Sequence, residues 1–468
     1  PCMATVTTER KPIGFETTGI ERVAETDRAH TQLWDTMWLW WSANSVVATV
    51  VLGTINVFFG LGFWGSVLVI LIFNVLGVLP VAFLSTLGPK TGLAQMPLAR
   101  FSFGLQGARL PAIFNMLACI GWSAVNATIG ASLIVAWSAG AIPEWAALLF
   151  LAIVTTAVSV FGYFIVHRYE RYAWIPMLIL FGYLFFVALP HFNLNAPAPA
   201  LTDGLAVFAG IATFGGAVFG YAIGWSSYAA DYTRRQPVDT SPRRVFTFAF
   251  LGVALPCILL ETLGVLLTTA ANIDSSTPGS LLASSVGKAT LGSLVILLLA
   301  FSTIANNVPN DYSFALSTQV LGLRVKRWIL TIVGAVIYVL LALYLQRNFS
   351  LNLENFLLVI AYWLGAYSVI MIIEHFLRRG RYPVEDYETG SKLPLGVAAV
   401  VSMVVGLAIA ALGVSQQLFT GPIAKQLSDS FMVKNQFSPA DIGFPLAVVA
   451  TAILYTILRR IELARTHR

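Results

Sequence analysis

The sequence is short of charge. Asp, Glu, Lys and Arg make up 11% of its 468 residues, against roughly 25% in soluble proteins. It is equally short of the groups that catalysis and metal binding draw on. The five histidines, His30, His167, His191, His375 and His467, lie in tails or at the ends of apolar runs. No HExxH motif, nucleophile elbow or paired-aspartate motif occurs, so nothing points to an enzyme. Cys2, Cys119 and Cys257 are widely spaced and two of them sit in apolar runs, which speaks against a disulfide, a metal site or any bound cofactor. No signal-peptide pattern opens the chain, and residues 1–34 read as a polar cytoplasmic tail. The net charge of +6 does not imply nucleic acid, because most of the positive residues fall at the ends of apolar runs.

What the chain has in quantity is hydrophobic sequence, 57% of all residues. A membrane-spanning helix needs about 20 mostly apolar residues. Twelve stretches qualify as spans one to twelve: 35–58, 62–87, 110–138, 145–166, 173–190, 204–230, 245–270, 287–319, 327–346, 355–376, 394–414 and 441–459. Of the 28 Lys and Arg, 24 fall in the tails and alternate loops that share one side. By the positive-inside rule that side is cytoplasmic and holds both termini. The expectation is an all-α, multi-pass protein of the plasma (inner) membrane whose partner is the lipid bilayer. Residues 88–109 read as a Gly/Pro break followed by a short amphipathic piece, and 167–172 as a tight charged turn. Both suit turns and snorkelling anchors.

Polar residues concentrate in four spans. Span three holds Gly121-Trp122-Ser123-Ala124-Val125-Asn126, with Trp122 and Asn126 on one helix face. An indole and an amide with small residues around them form either half of a site for a flat, hydrogen-bonding ligand or an ordinary helix contact. Span one carries Trp41-Ser42-Ala43-Asn44-Ser45, and the span-six stretch from Phe214 to Asp231 has glycines at 215, 216, 220 and 224. Such glycines favour a broken helix whose backbone lines a cavity. Span eight passes from Ser302-Thr303 into Asn306-Asn307-Val308-Pro309-Asn310-Asp311-Tyr312, costly at bilayer depth unless it faces a cavity or a partner.

The spacing of these stretches repeats. Asn44 lies 177 residues before Tyr221, Asn126 lies 180 before Asn306, and His167 lies 180 before Arg347. Spans one to five (35–190) and six to ten (204–376) therefore look like two copies of one plan. An odd number of spans per copy inverts the second, as in secondary transporters that bind substrate where the copies meet. Residues 394–459 add spans eleven and twelve, and 460–468 form a cytoplasmic tail.

These residues resemble the nucleobase–cation symporters, in the purine–cytosine permease branch. The similarity runs from about residue 20 to 380. It rests on Thr91-Gly92 through Arg100-Phe101-Ser102-Phe103-Gly104, Gly121-Trp122, Gly224-Trp225 with Tyr228-Ala229-Ala230-Asp231-Tyr232, and Asn306 through Tyr312. The resemblance implies a LeuT-like five-plus-five inverted repeat with two extra C-terminal helices. It implies symport of a nucleobase, such as cytosine, adenine or hypoxanthine, with aromatics stacking on the ring and amides reading its edges. Trp122, Asn126, Asn306 and Asn310 correspond well. In span six the aromatic is Trp225 with Tyr221 second, and Ser45 of span one completes the substrate set. Allantoin, hydantoin-like rings or a vitamin-precursor heterocycle are the runner-up substrates.

For coupling, the acids in or bordering the spans are Asp35, Asp231, Glu261, Asp311, Glu354 and Glu374. Only Glu261 is plainly mid-span, and Asp311 adjoins the expected site. A carboxyl at that depth can carry a proton, although Glu261 could equally serve a helix–helix bond. Proton coupling is the expectation. The resemblance implies that sodium coupling, if used, would draw on Ser302 and Thr303 with span-one backbone. No repeated filter loop or ring of like charge suggests a channel, and a membrane sensor is the remaining non-transporter reading.

Overall fold

The computed structural model describes residues 19–28, 32–161, 163–196, 204–270, 273–287, 290–323, 325–431, 440–466 and 468. Cys2, His30, Lys288, Lys434, His467 and most of the N-terminal tail lie outside the described residues. Among those described, nine helices are long and apolar enough to cross a membrane. Span one makes a tenth from the pair Trp34–Asn44 and Val47–Phe58, which meet at a 55° bend. Two shorter apolar helices, Glu144–Val160 and Val397–Ala410, occupy the stretches expected as spans four and eleven.

The bend in span one has a local cause. Ser45 and Val46 leave helical geometry, and Val46 is fully extended. The break frees carbonyls that would otherwise be bonded one turn later. Side chains take them over: Thr49 Oγ1 donates to the Asn44 carbonyl at 2.6 Å, and Asn306 Nδ2 to the Ala43 carbonyl at 2.8 Å. Glycine lets the second half of span one lie against span seven (Pro242–Thr268) almost backbone to backbone. A Cβ on Gly53 would fall 1.9 Å from the Glu261 carbonyl oxygen, and one on Gly264 2.0 Å from that of Val50.

Span six departs from expectation. Its helix runs unbroken from Gly204 to Ile223 and changes only at a 3-10 turn, Gly224–Ser227. The mid-helix glycines serve packing instead: a Cβ on Gly220 would sit 2.0 Å from the Leu357 carbonyl oxygen of span ten (Phe349–Leu377). The stretch 167–172, expected as a turn, falls inside the helix Tyr163–Ala188. It contains no Gly or Pro to stop a helix. In residues 88–109 Lys90 and Arg109 are exposed, but Gln95 and Arg100 are buried. The stretch forms short helices at Leu87–Thr91, Gln95–Leu98 and Arg100–Gly107, the last kinked at Gly104, where φ is 70°.

Span three (Arg109–Trp137) packs along span eight (Thr290–Val320), and span six against span ten. Spans three and six are among the most enclosed, whereas only 22% of the apolar window of span twelve (Gly443–Thr466) is buried. The centre of the bundle is therefore built from spans one, three, six, eight and ten. Arg22, near the start of the described residues, and Arg468 both reach the 385–391 stretch. Arg22 lies 3.9 Å from Glu385, and Arg468 donates to the Ser391 carbonyl.

Candidate functional site

A small cavity sits at the centre, beside the bend in span one. It is lined by Ala48 of span one, Trp122 and Asn126 of span three, and Tyr221, Gly224, Trp225 and Tyr228 of span six and its adjoining turn; Asn306 and Asn310 of span eight complete it. Six of the seven expected substrate residues are thus brought together. Ser45 is not. Its backbone at the break turns it toward a separate, largely apolar cavity with Trp41, Phe181 and Leu263. Ala48, just inside the second half-span, takes the position facing the centre. The sequence reading also missed Tyr228 and Gly224 as lining residues, although both lie in the motif that begins at Gly224-Trp225.

Aromatic edges and faces shape the cavity. Trp122 meets Tyr221 at 5.4 Å and Phe356 at 5.0 Å, both nearly perpendicular. Trp225 packs edge-on against Trp40 at 5.3 Å and Tyr228 at 5.7 Å. The indole nitrogen of Trp225 donates to Asn44 Oδ1 at 2.8 Å, which ties its ring to the break in span one. Tyr221 is held by Thr49 Oγ1 at 2.6 Å. Because Thr49 already donates to the Asn44 carbonyl, the tyrosine hydroxyl is the donor in that pair.

The amides form a directed chain. Asn306 Nδ2 donates to the Ala43 carbonyl, and Asn126 Nδ2 donates to Asn306 Oδ1 at 3.3 Å. Asn126 and Asn306, 180 residues apart in sequence, thus meet in space. Asn310 Nδ2 donates to the Asn306 carbonyl at 3.1 Å, and Tyr228 donates to Asn310 Oδ1 at 3.3 Å. Asn126 Oδ1 is buried with no hydrogen-bond partner.

The two sides of the site differ. Away from the chain termini a cavity of about 730 Å³ descends from Glu144, Ser276 and Gln346 to Thr128 and Ser132 of span three. Toward the termini the path is packed shut. Gln95 N donates to Asp231 Oδ1 at 2.6 Å, Gln95 Nε2 to the Tyr367 hydroxyl at 2.9 Å, and Arg234 to the Tyr312 hydroxyl at 2.8 Å. Burial pushes the Asp231 carboxyl up to about 7, against the opposing pull of the Gln95 N–H and Arg234. The central cavity has a free volume of about 10 Å³, room for about one water. A ring enters only when these side chains part.

The coupling candidates are scattered. Glu261 of span seven is fully buried and accepts from Asn74 Nδ2 of span two (Gly62–Ser85) at 2.6 Å; its other oxygen has no partner. One turn earlier, Cys257 Sγ donates to Asn44 Oδ1 at 3.3 Å, the same oxygen that holds Trp225. Asp311 turns away from the cavity and accepts from Ser159 Oγ of span four at 2.7 Å. Ser302 and Thr303 donate to the Leu299 and Ala300 carbonyls of their own helix.

A bent first span and a small central pocket lined by spans one, three, six and eight define a membrane transporter of LeuT-like fold. The solved structure of Mhp1, a nucleobase-cation-symport-1 family transporter in a closed conformation with bromovinylhydantoin bound, matches 97% of this chain and 96% of its own. Its TM-score is 0.71 at 17% identity. The family model for permeases of cytosine/purines, uracil, thiamine and allantoin matches residues 23–433, and the chain belongs to that family. Purine-cytosine permease fcyB of Emericella nidulans is 37% identical over 96% of this chain and 89% of its own length. Purine-cytosine permease FCY2 of Saccharomyces cerevisiae is 33% identical over 96% and 87%. The chain is a permease, not an enzyme.

Proposed function

We propose that this permease imports a nucleobase, cytosine or a purine, by proton symport with alternating access across the plasma membrane, both termini cytoplasmic. The observation that carries the reading is the central pocket, where indoles and amides from both repeats converge on one small space. A nucleobase has a flat face for an indole and a hydrogen-bonding edge for an amide. The purine-cytosine permeases among the relatives support the substrate class.

Glu261 is the favoured proton carrier, because one carboxylate oxygen lacks a partner and Cys257 and Asn44 connect its helix to Trp225. Asp311 is the less favoured acid, being turned toward Ser159. Sodium at Ser302 and Thr303 is disfavoured because the group reaching the broken carbonyl of span one is the amide of Asn306.

Isotope uptake into proteoliposomes tests the proposal. Accumulation is expected to follow an inward proton gradient and collapse with a protonophore, while a sodium gradient at fixed pH changes little. Sodium-dependent binding with lithium or choline as control would overturn the proton assignment. Trp122→Ala is expected to weaken base binding at least about tenfold, since one stacked base contributes roughly 1–3 kcal/mol. Unchanged affinity in the folded variant would remove Trp122 from the site.

A further inference from the structure

An amide side chain offers a donor at one end and an acceptor at the other. Which end faces a ligand is decided by what holds the far end. In this pocket the deciding group is a backbone carbonyl. The bend in span one frees the Ala43 oxygen, and a carbonyl oxygen can only accept. Asn306 must therefore turn its NH2 toward Ala43, at 2.8 Å. Its oxygen then faces span three, so Asn126 must turn its own NH2 toward Asn306, at 3.3 Å. The atom of Asn126 left with no hydrogen bond at all is Oδ1, on a residue only 1% exposed that lines the cavity.

The other polar groups of the cavity each already make at least one hydrogen bond within the protein. Asn310 Nδ2 is bonded to the Asn306 carbonyl and its oxygen to Tyr228. The Trp225 N–H is bonded to Asn44, and the Tyr221 hydroxyl to Thr49. Reversing Asn126 would set its oxygen against the oxygen of Asn306. Reversing both amides would set the Asn306 oxygen against the Ala43 carbonyl.

We infer that Asn306 fixes the polarity of the site through Asn126, so that a bound ring must present an N–H donor to Asn126 Oδ1. Asn306 is a positioning residue in this role. The inference rests on the heterocycle site proposed above and states which edge of the ring that site accepts. A ligand that places a carbonyl or bare ring nitrogen there meets an unpaired buried acceptor, a loss a hydrogen-bonding site discriminates strongly. The N–H can come from an exocyclic amine or from the ring itself. The same relay links ligand to the bent span: a base held by Asn126 is two hydrogen bonds from the break in span one.

The test is competition against uptake of a labelled base by the full chain in proteoliposomes. One arm deletes the exocyclic amine, comparing adenine with purine and cytosine with 2-hydroxypyrimidine. The other blocks each ring N–H in turn by methylation, with carbon-methylated rings as size controls. Hydantoins and pyridines with and without N–H extend the panel to other ring classes. In the native protein, loss of one particular N–H is expected to weaken competition at least about tenfold, and the arm in which it occurs identifies the source. In Asn306→Ala that loss is expected to shrink below about threefold, because Asn126 is then free to turn either end toward the ring. Asn306→Ser, which keeps a hydroxyl but is too short to hold Asn126, is expected to do the same.

A structural role alone would weaken all ligands together and leave the ranking unchanged. The inference is overturned if no single N–H matters in the native protein, or if either folded variant preserves the native ranking. The native panel decides the first point even if neither variant folds. Bases that compete without regard to their N–H groups sink this inference and leave the transport reading standing. If no ring of any class competes, the transport reading falls and this inference with it.

Discussion

Two buried glutamates, each on a membrane-spanning helix, are treated in opposite ways. Glu374 of span ten receives four donors. Arg378 Nε and Arg459 Nη2 reach Oε1 at 2.6 and 2.9 Å; the Tyr455 hydroxyl and Arg459 Nε reach Oε2 at 2.7 and 2.9 Å. Arg459 also holds Glu462, whose carboxylate takes the backbone N–H groups of Gly396 and Ala398 at the start of span eleven. Spans ten, eleven and twelve are thus tied by one charge network. Glu261 has a single donor, Asn74, and one oxygen without a partner. A carboxylate bonded by cations is held by several charge-assisted hydrogen bonds, whereas one served by a lone neutral amide is held by a single weaker one. The contrast separates a carboxylate tied into a charge network from one held by a single neutral donor.

The comparison breaks most visibly at Glu374. Glu374→Ala leaves the Arg459 guanidinium, on a side chain only 1% exposed, with Glu462 as its remaining carboxylate partner. Removing one partner of a buried pair costs about 3–5 kcal/mol. Detergent-solubilised variant protein is expected to lose thermal stability or fail to accumulate as folded monodisperse material. A variant as stable as the native protein would mean that the network contributes nothing net, and the contrast with Glu261 would lose one side.

This pairing was not legible in the sequence. Arg459 and Glu374 are 85 residues apart, and each reads as an ordinary charge near a span end. The same holds for Asn74 and Glu261, 187 residues apart. A single sequence reports which residue is costly to bury, not which partner offsets the cost. The apolar spans were legible because membrane insertion depends on composition over a whole window. Trp122, Asn126, Asn306 and Asn310 were legible because polar groups at bilayer depth stand out against that composition. Ser45 was misread because a helix break rotates the side chains beyond it, and the site of the break fixes whether Ser45 or Ala48 faces the pocket. The span-six glycines were misread as breaks because close packing and helix rupture call for the same residue.

Asp231 falls between the two glutamates and sharpens the contrast. It lies beyond the end of span six, buried, with the Gln95 N–H as a direct donor and Arg234 acting on it. Its carboxyl is pushed from its ordinary 3.8 up to about 7 by burial. An acid that ionises less readily in the fold than in the unfolded chain binds more protons in the folded state, so its ionisation lowers stability. This contribution is fully present below about pH 4 and is lost as pH rises to about 7. The expected slope is up to about 1.4 kcal/mol per pH unit within that window. Asp231→Asn keeps the oxygen that accepts from Gln95 and removes the titration. Thermal denaturation across pH 4 to 8 is expected to show a flatter stability profile in the variant. An identical profile would mean that Asp231 does not titrate in this range.

The smallest change in stability is expected at Glu261, and there it accompanies the largest change in transport. Glu261→Gln keeps the shape and an oxygen for Asn74. It places no cation in an unpaired state, because Asn74 is the only hydrogen-bond partner found for Glu261 among the described residues. Its unfolding temperature in detergent is expected to stay close to native, within about 1 kcal/mol of stability. If Glu261 carries the proton, the variant loses gradient-driven accumulation. It retains exchange of labelled for unlabelled base, because exchange uses the pocket without net proton movement. Asp311→Asn is the companion measurement: retained accumulation in that variant and loss in Glu261→Gln assigns the proton to span seven, and the reverse assigns it to span eight. A Glu261→Gln protein as unstable as Glu374→Ala would show that both glutamates are architectural, and that hydrogen-bond satisfaction does not distinguish the two kinds of buried acid in this bundle.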